Sequence, residues 1–413
     1  MSTDDGPRTR RRARQALVAT LAIQAYVALA ATATSVLAPA IAPDFGVSPK
    51  LVGVFVGLVY VGSMTASLLS GGPIARFGPI RVSQAAVLTS AAGLALLPAA
   101  SAWPALAALV AFAPVVIGLG YGPVTPASSQ VLAHTAPPSR MALTFSIKQT
   151  GVPAGAALAG AMLPALALAG GWKAALLAVA ALGLVVALAA QPVRADLDRG
   201  RDAAQPFSLA GVVGPLRQIF ADRRLADLVL LSFFYSATQV CLISFVVVYL
   251  TEALGQSLVF AGIALSVTTL GGVAGRIVWG EVADRTRAPG GTLVALGLAA
   301  GLCSLATAAW PVGAPVWPLL LVLALFGATA IGWNGVMLSE VARLAPPGRA
   351  GAVTGASGFI TFAGVVCGPP AFALLAGVTG SYRAGFVAVG LVSVATAVGL
   401  RVRSRAARSR GGH

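Results

Sequence analysis

Charged residues and histidine are scarce in this chain, and each shortage excludes a class of protein. Only 10% of the 413 residues are charged, whereas a soluble protein carries about 25%, so a water-soluble globular enzyme is excluded. The two histidines, His134 and His413, are too few for a histidine metal cluster or a catalytic triad. The glycine-rich stretches contain no phosphate-binding loop, which argues against an ATP-driven pump. We therefore expect no enzyme activity, no cofactor and no metal site.

Cysteine is equally rare. The three cysteines, Cys241, Cys303 and Cys367, all lie within apolar runs. Their spacing fits no disulfide, zinc or redox motif, so we interpret them as small packing residues.

Long apolar runs dominate the chain, of which 57% is hydrophobic. A helix needs about 20 mostly apolar residues to cross a bilayer. Hydropathy predicts twelve such runs, at about 16–41, 50–70, 82–100, 104–132, 142–168, 172–191, 225–250, 257–279, 292–310, 316–339, 352–377 and 382–400. These runs predict an all-α membrane protein with twelve transmembrane helices.

The basic residues are distributed unevenly between the two sides of the predicted membrane. With the N-terminus in the cytoplasm, the tails and connections on that side contain 23 of the 28 basic residues, and the outer connections contain three. The positive-inside rule therefore predicts that both termini are cytoplasmic. Basic tails also suit an anionic inner leaflet, so the net charge of +16 indicates a lipid bilayer as partner and no nucleic acid. The excess of arginine over lysine in a chain rich in alanine and glycine is typical of a GC-rich bacterial genome, which predicts a bacterial inner membrane.

The two halves of the sequence repeat at an offset of 209 residues. The matched pairs are Gly71 with Gly280, Arg76 with Arg285, Gly118 with Gly327, and Tyr26 with Tyr235. Internal repeats are typical of secondary transporters, whose binding site lies near mid-membrane between the repeats. We predict two pseudo-symmetric six-helix bundles, residues 1–191 and 225–413, joined by a cytoplasmic linker at 192–224.

The connections after the second and eighth spans carry related motifs. The first reads GGPIARFGPIR from Gly71, and the second reads GEVADRTR from Gly280. Both resemble the G-x-x-x-D-R-x-G loop of the major facilitator superfamily. The resemblance implies a secondary transporter that works by alternating access between two six-helix bundles, and it does not specify the substrate.

In that family the loop gates inward opening, because its acid pairs with a neighbouring helix end and its basic residues hold the cytoplasmic faces together. The resemblance therefore implies gating roles for Arg76, Asp284 and Arg285. Glu340 and Arg343, at the end of the tenth span, are further gate candidates. The first loop departs from the pattern, because Ala75 stands where the acid belongs, so Asp284 is the expected gate acid.

Lys148 is the first of two cations predicted within the spans. A charged residue at a span centre costs about 2.5–3.5 kcal/mol on insertion scales, and Lys148 lies about 10 Å into the fifth span. Gly151 and Gly155, which follow it, permit close helix contact. Lys148 is either part of a binding site or a side chain that extends to the cytoplasmic edge.

Arg276 is the second cation. The segment from Gly275 to Gly280, GRIVWG, resembles the eighth span of the oxalate/formate and monocarboxylate branches, where the arginine holds a substrate carboxylate. The alternative is a structural cation near the helix end. By family architecture, Lys148 and Arg276 would face one cavity from opposite sides, with no Asp or Glu at mid-span beside either in the sequence.

Polar and aromatic side chains within the spans are candidates to line that cavity. They are Gln24, Tyr26, Tyr60, Tyr121, Gln149, Tyr235, Gln239 and Asn334. In the resembling family, spans 1, 4, 7 and 10 line the cavity. Packing in the core is an equally good interpretation of each of these residues taken alone.

Two buried cations predict an anion as substrate, because arginine matches a carboxylate with two hydrogen bonds and lysine adds a point charge. The predicted function is a secondary active transporter of a small mono- or dicarboxylate, working as a monomer by symport or antiport, with protons as a candidate coupling ion. The alternative is a proton-coupled efflux carrier of drugs or metabolites.

Overall fold

The protein is mainly helical within the residues that the structure, a computed structural model, describes: 7–46, 52–102, 112–202, 204 and 209–410. Every regular element in these ranges is a helix. Residues 50–51 of the second predicted span and 104–111 of the fourth lie outside the described residues, as do 203 and 205–208 of the predicted linker.

Seventeen α-helices follow one another along the described chain. They are α1 (Pro7–Ile41), α2 (Val52–Leu69), α3 (Gly71–Phe77), α4 (Pro79–Ala102), α5 (Ala113–Tyr121), α6 (Val124–Thr135), α7 (Met141–Gln149), α8 (Gly151–Ala189), α9 (Gln191–Leu197), α10 (Leu209–Ala221), α11 (Arg223–Val248), α12 (Leu258–Thr286), α13 (Pro289–Ala308), α14 (Trp317–Ala330), α15 (Asn334–Leu344), α16 (Ala350–Thr379) and α17 (Tyr382–Arg410). Polar residues cap some starts, as where the Asp222 carboxylate accepts from the N–H groups of Arg224 and Leu225 before α11.

The helices agree with twelve crossings. Within the described residues, nine helical segments are long and apolar enough to span a membrane, and the bent pair α2–α3 is a tenth. The segment Pro138–Ala189 contains two predicted spans, because the backbone breaks at Gly171 with φ 80° and ψ 163°. The remaining predicted span corresponds to α5 and α6. The protein is therefore an all-α, multi-pass membrane protein.

The chain divides into two compact units. Unit 1 contains Met1–Pro138, Lys148–Ala221 and Val341–Phe359, and unit 2 contains Ser139–Ile147, Asp222–Glu340 and Ile360–His413. Each unit has its own apolar core. In unit 1 the core includes residues of α1, α4 and α8, and in unit 2 it includes residues of α11, α14 and α17. The boundaries at 191 and 225 stay a prediction from the sequence.

Equivalent close contacts confirm the internal repeat. Gly118 packs against the carbonyl oxygen of Val59 in unit 1, and Gly327 packs against the carbonyl oxygen of Thr268 in unit 2. Both glycines and both carbonyls are 209 residues apart in sequence. A Cβ atom at either glycine would overlap that oxygen, so these helices approach more closely than any other residue would allow.

The two repeats share one helix break and differ in another. The helix break at Gly122-Pro123, between α5 and α6, is matched by one at Ile331–Trp333, between α14 and α15. The second span bends by 55° between α2 and α3, whereas α12 runs unbroken past the equivalent position. Pro73 explains the difference, because proline donates no backbone hydrogen bond and clashes with the preceding turn, and the residue 209 positions later is Val282.

Candidate functional site

The ammonium group of Lys148 is buried in unit 1. Lys148 is only 1% exposed, and its Nζ donates to Gln24 Oε1 at 2.6 Å and to Gln149 Oε1 at 3.1 Å. A longer bond of 3.5 Å reaches Thr125 Oγ1. Gln24 lies at the middle of α1. The lysine is therefore directed to the interior of the unit and does not extend to the surface.

Close packing of α8 on α1 places this lysine beside Gln24. A Cβ at Gly151 would lie 3.0 Å from Gln24 Cβ, and one at Gly155 would overlap the carbonyl oxygen of Ala25. The expectation that Gly151 and Gly155 permit close helix contact is confirmed. The helix breaks at Thr150, between α7 and α8, because Pro153 cannot donate to the Gln149 carbonyl.

The Gln24 amide beside Lys148 has one donor group without an acceptor among the described residues. The ammonium group can only donate, so the Gln24 amide turns its oxygen toward it and its NH₂ group away. Gln24 is fully buried, and its Nε2 has no hydrogen-bond partner among the described residues. Thr125 Oγ1 donates to the same amide oxygen at 3.1 Å. Amide and hydroxyl oxygens therefore accept hydrogen bonds from the ammonium group of Lys148.

Arg276, within α12, lies beside the C-terminal end of α14 in unit 2. It is 3% exposed, and its Nε donates to the carbonyl oxygen of Ile331 at 3.3 Å. Trp279, one turn further along α12, donates to the Ala328 carbonyl oxygen at 3.1 Å. The last carbonyls of a helix lack intrahelical partners and carry a partial negative charge, so Arg276 stabilises the end of α14. A structural role was the alternative that the sequence left open.

A second amide cluster follows the break between α14 and α15. Gln239 Oε1 accepts from Trp333 Nε1 at 3.2 Å and from Asn334 Nδ2 at 3.1 Å. The ring of Tyr235 packs edge-on against Trp333 at 5.8 Å between centroids. The structure therefore brings Gln239 and Asn334 together. Lys148 and Arg276 belong to different units, and their sharing of one cavity stays a prediction.

The four candidate tyrosines are placed in different environments. Tyr235 is 4% exposed and its hydroxyl donates to the Leu293 carbonyl oxygen at 2.8 Å. The hydroxyl of Tyr26, 3% exposed, lies against Gly183 of α8. Both hydroxyls thus contact helices of their own unit. Tyr60 and Tyr121 are half-buried, and a substrate-binding role for any of the four is still a prediction.

The predicted gate acid lies at a helix start. Asp284 accepts from the backbone N–H groups of Ala142 at 3.0 Å and Leu143 at 2.8 Å, the first turn of α7. A carboxylate is favoured there because the helix N-terminus is partially positive. Arg285 pairs with Glu281 at 2.6 Å on the exposed face of α12.

The other gate candidates have diverse surroundings. The Arg76 guanidinium lies 5.5 Å from the ring centroid of Phe77. Glu340 is half-buried and Arg343 is exposed. The gating roles of these residues stay predictions.

Sequence reasoning missed a buried acid in the linker. Asp198 is 5% exposed and accepts from the N–H groups of Ile80 at 2.7 Å and Arg81 at 3.1 Å, at the start of α4. Burial raises the pKa of this carboxyl, while the two backbone donors and nearby Arg194 oppose that shift. The two backbone donors, Ile80 and Arg81, are more than 100 residues away in sequence, so no local pattern could have identified this contact.

Comparison with known proteins agrees with this architecture. The model of the Major Facilitator Superfamily matches residues 20–366, which is most of the chain. No curated protein sequence matches it.

Solved transporters have a similar fold. The E. coli fucose:proton symporter FucP has a TM-score of 0.73 at 17% identity, covering 94% of this chain and 98% of that one. The human organic anion transporter MFSD10 has a TM-score of 0.72 at 18% identity, covering 96% and 100%. A bacterial homologue of the iron transporter ferroportin has a TM-score of 0.72 at 16% identity, covering 95% and 98%. The chain belongs to the Major Facilitator Superfamily and is a multi-pass secondary transporter, not an enzyme.

Proposed function

We propose that this transporter carries a small organic anion, a mono- or dicarboxylate, and that Lys148 is its main contact in unit 1. The observation that carries the proposal is the burial of a lysine ammonium group on the amide oxygens of Gln24 and Gln149. The solved neighbours are named for sugars, organic anions and iron, so likeness of fold does not select among substrates.

The chemistry of the cluster favours an acceptor-rich, negative substrate. A buried charge is costly unless an opposite charge or strong hydrogen bonds offset it. The two amide oxygens supply hydrogen bonds to the buried ammonium group, and a bound carboxylate would add charge attraction. A carboxylate accepts hydrogen bonds and donates none, which matches the ammonium group, and the buried Nε2 of Gln24 has no acceptor among the described residues.

Arg276 is proposed as the second cation for the same substrate. Its guanidinium group carries five N–H donors, one of which bonds to the Ile331 carbonyl oxygen. A planar donor pair matches a carboxylate in a bidentate arrangement. The resemblance of its segment to the oxalate/formate and monocarboxylate branches supports the same role.

We further propose that the protein lies in a bacterial inner membrane with both termini cytoplasmic, because 23 of its 28 basic residues then face the cytoplasm. It works as a monomer by alternating access, in symport or in exchange for a second anion. Protons are the candidate coupling ion.

Uptake of radiolabelled carboxylates into proteoliposomes tests the substrate class. Lys148→Ala removes a charge-assisted contact worth about 1.5–3 kcal/mol, so we expect uptake at low substrate concentration to fall by roughly 10- to 100-fold. Arg276→Ala should lower it as well. Lys173→Ala is the matched control, because Lys173 is an exposed lysine that pairs with Asp44. Unchanged uptake in both Lys148→Ala and Arg276→Ala would refute the anion site.

A thermal-shift screen separates the two candidate functions. Small carboxylates should raise the melting temperature of the purified protein, and neutral or cationic compounds should not. Stabilisation by lipophilic cations alone, with no response to carboxylates, would support the efflux carrier instead.

A further inference from the structure

Asp284 caps a helix start in the second repeat, and the equivalent position in the first repeat is occupied by Ala75. Asp284 accepts from the N–H groups of Ala142 and Leu143 at the start of α7. The repeat offset of 209 residues relates Asp284 to Ala75, and Ala142 to Gly351 near the start of α16. The repeat therefore predicts a side-chain acceptor for the Gly351 N–H at position 75, where alanine supplies none.

The packing around this position is the same in both repeats. A Cβ at Gly280 would lie 3.0 Å from Leu143 Cα, and a Cβ at Gly71 would lie 2.8 Å from Ala352 Cβ. These two pairs are also related by 209 residues. The start of α16 therefore packs on the loop of unit 1 as the start of α7 packs on the loop of unit 2, and only the acidic side chain is replaced.

Gln130, from α6, supplies the acceptor instead. Its Oε1 accepts from the Gly351 N–H at 2.7 Å, and its Nε2 donates to the Gly348 carbonyl oxygen at 2.9 Å. The equivalent of Gln130 in the second repeat is Ser339, whose hydroxyl donates to Val336 within its own helix. The two repeats thus use different elements to hold equivalent helix starts.

We propose that Gln130 is the positioning residue that holds the start of α16, in the place of the loop acid that holds α7. Its amide is neutral, so it lacks the attraction between a carboxylate and a helix N-terminus. It gains a bond to the Gly348 carbonyl that an ionised carboxylate cannot make. The first repeat therefore has a charge-free latch that joins α6 to the turn before α16. This proposal rests on the family's transport cycle and is independent of the substrate.

The first loop has room for the missing side chain. Ala75, Gln130, Gly348 and Ala352 line one cavity of about 980 Å³ in unit 1. An aspartate at position 75 can therefore be tested as a replacement for Gln130 without displacing the core.

Hydrogen exchange of the purified full-length protein, measured on the peptide that contains Gly351, tests the latch without any substrate. Gln130→Ala removes a neutral hydrogen bond, so exchange at Gly351 should rise about three- to tenfold. Adding Ala75→Asp to that variant should restore protection, which a general loosening of the fold would not do. Ser339→Ala is the control and should leave Gly351 unchanged.

Two further variants cover the case in which Gln130→Ala does not fold. Ala75→Asp alone should slow exchange at Gly351 and Ala352, and Gln130→Glu should keep Gly351 protected because the acceptor remains. Two results would overturn the proposal. The first is unchanged exchange at Gly351 in folded Gln130→Ala. The second is that Ala75→Asp fails to slow exchange, whether it is introduced into the unmodified protein or into the Gln130→Ala variant.

Discussion

Replacing Gln24 by leucine removes the acceptor nearest to the buried ammonium group of Lys148. The lysine still donates to Gln149 at 3.1 Å and to Thr125 at 3.5 Å. A hydrogen bond to a charged group contributes about 1.5–3 kcal/mol, and the 2.6 Å bond to Gln24 is the shortest of the three. We therefore expect Gln24→Leu to lower the free energy of unfolding by roughly 2–3 kcal/mol.

Removing the other partner, Lys148, should lower the free energy of unfolding by less. Lys148→Met removes the charge and leaves Gln24 Oε1 accepting from Thr125 at 3.1 Å, so a loss of about 0.5–1.5 kcal/mol is expected. In the double variant neither partner remains, and the two effects should not add. The expected coupling energy is about 1–2 kcal/mol.

Equilibrium unfolding in detergent micelles measures this cycle without knowledge of the substrate. Gln84→Leu provides the control, because Gln84 is buried in the same unit but bonds to Ala187 and Gln191. Its effect should add to that of Lys148→Met. Additivity of Gln24→Leu and Lys148→Met within about 0.5 kcal/mol would show that the Lys148–Gln24 bond does not stabilise the native protein.

Three other predictions concern packing, the loop acid and the tyrosines. Gly118→Ala and Gly327→Ala should each prevent the protein from eluting as a single monodisperse species in size-exclusion chromatography, because the added Cβ overlaps a carbonyl oxygen. Gly57→Ala and Gly262→Ala are the controls, because the Cβ has open space there. Normal elution of Gly118→Ala and Gly327→Ala would contradict the close approach of these helices. Asp284→Asn should raise hydrogen exchange at Ala142 and Leu143 roughly tenfold, because a charge-assisted helix cap is lost. Glu281→Gln, on the exposed face of the same helix, should leave this exchange unchanged. Equal exchange in the two variants would contradict the capping role of Asp284. Tyr235→Phe should lower the melting temperature through loss of the bond to the Leu293 carbonyl oxygen, worth about 0.5–1.5 kcal/mol. An unchanged melting temperature would contradict the contribution of this bond.

Composition and spacing alone determined the fold class of this protein. Transfer of a helix into lipid depends mainly on its own twenty or so residues, so each crossing could be predicted without knowledge of its neighbours. The repeat could also be recognised from the sequence, because glycines 209 residues apart, such as Gly118 and Gly327, satisfy the same packing requirement in each half. The presence of Lys148 and Arg276 within spans also followed from the sequence, since a cation in an apolar run is conspicuous.

Only the tertiary structure decided what those side chains contact. The partners of Lys148 include Gln24, 124 residues away, and Gln130 reaches Gly351 across 221 residues. Such pairs depend on how closely two helices pack, and no local pattern records that distance. For the same reason the sequence showed that position 75 is an alanine and not an acid, but it could not show that the amide of Gln130, on another helix, accepts from Gly351.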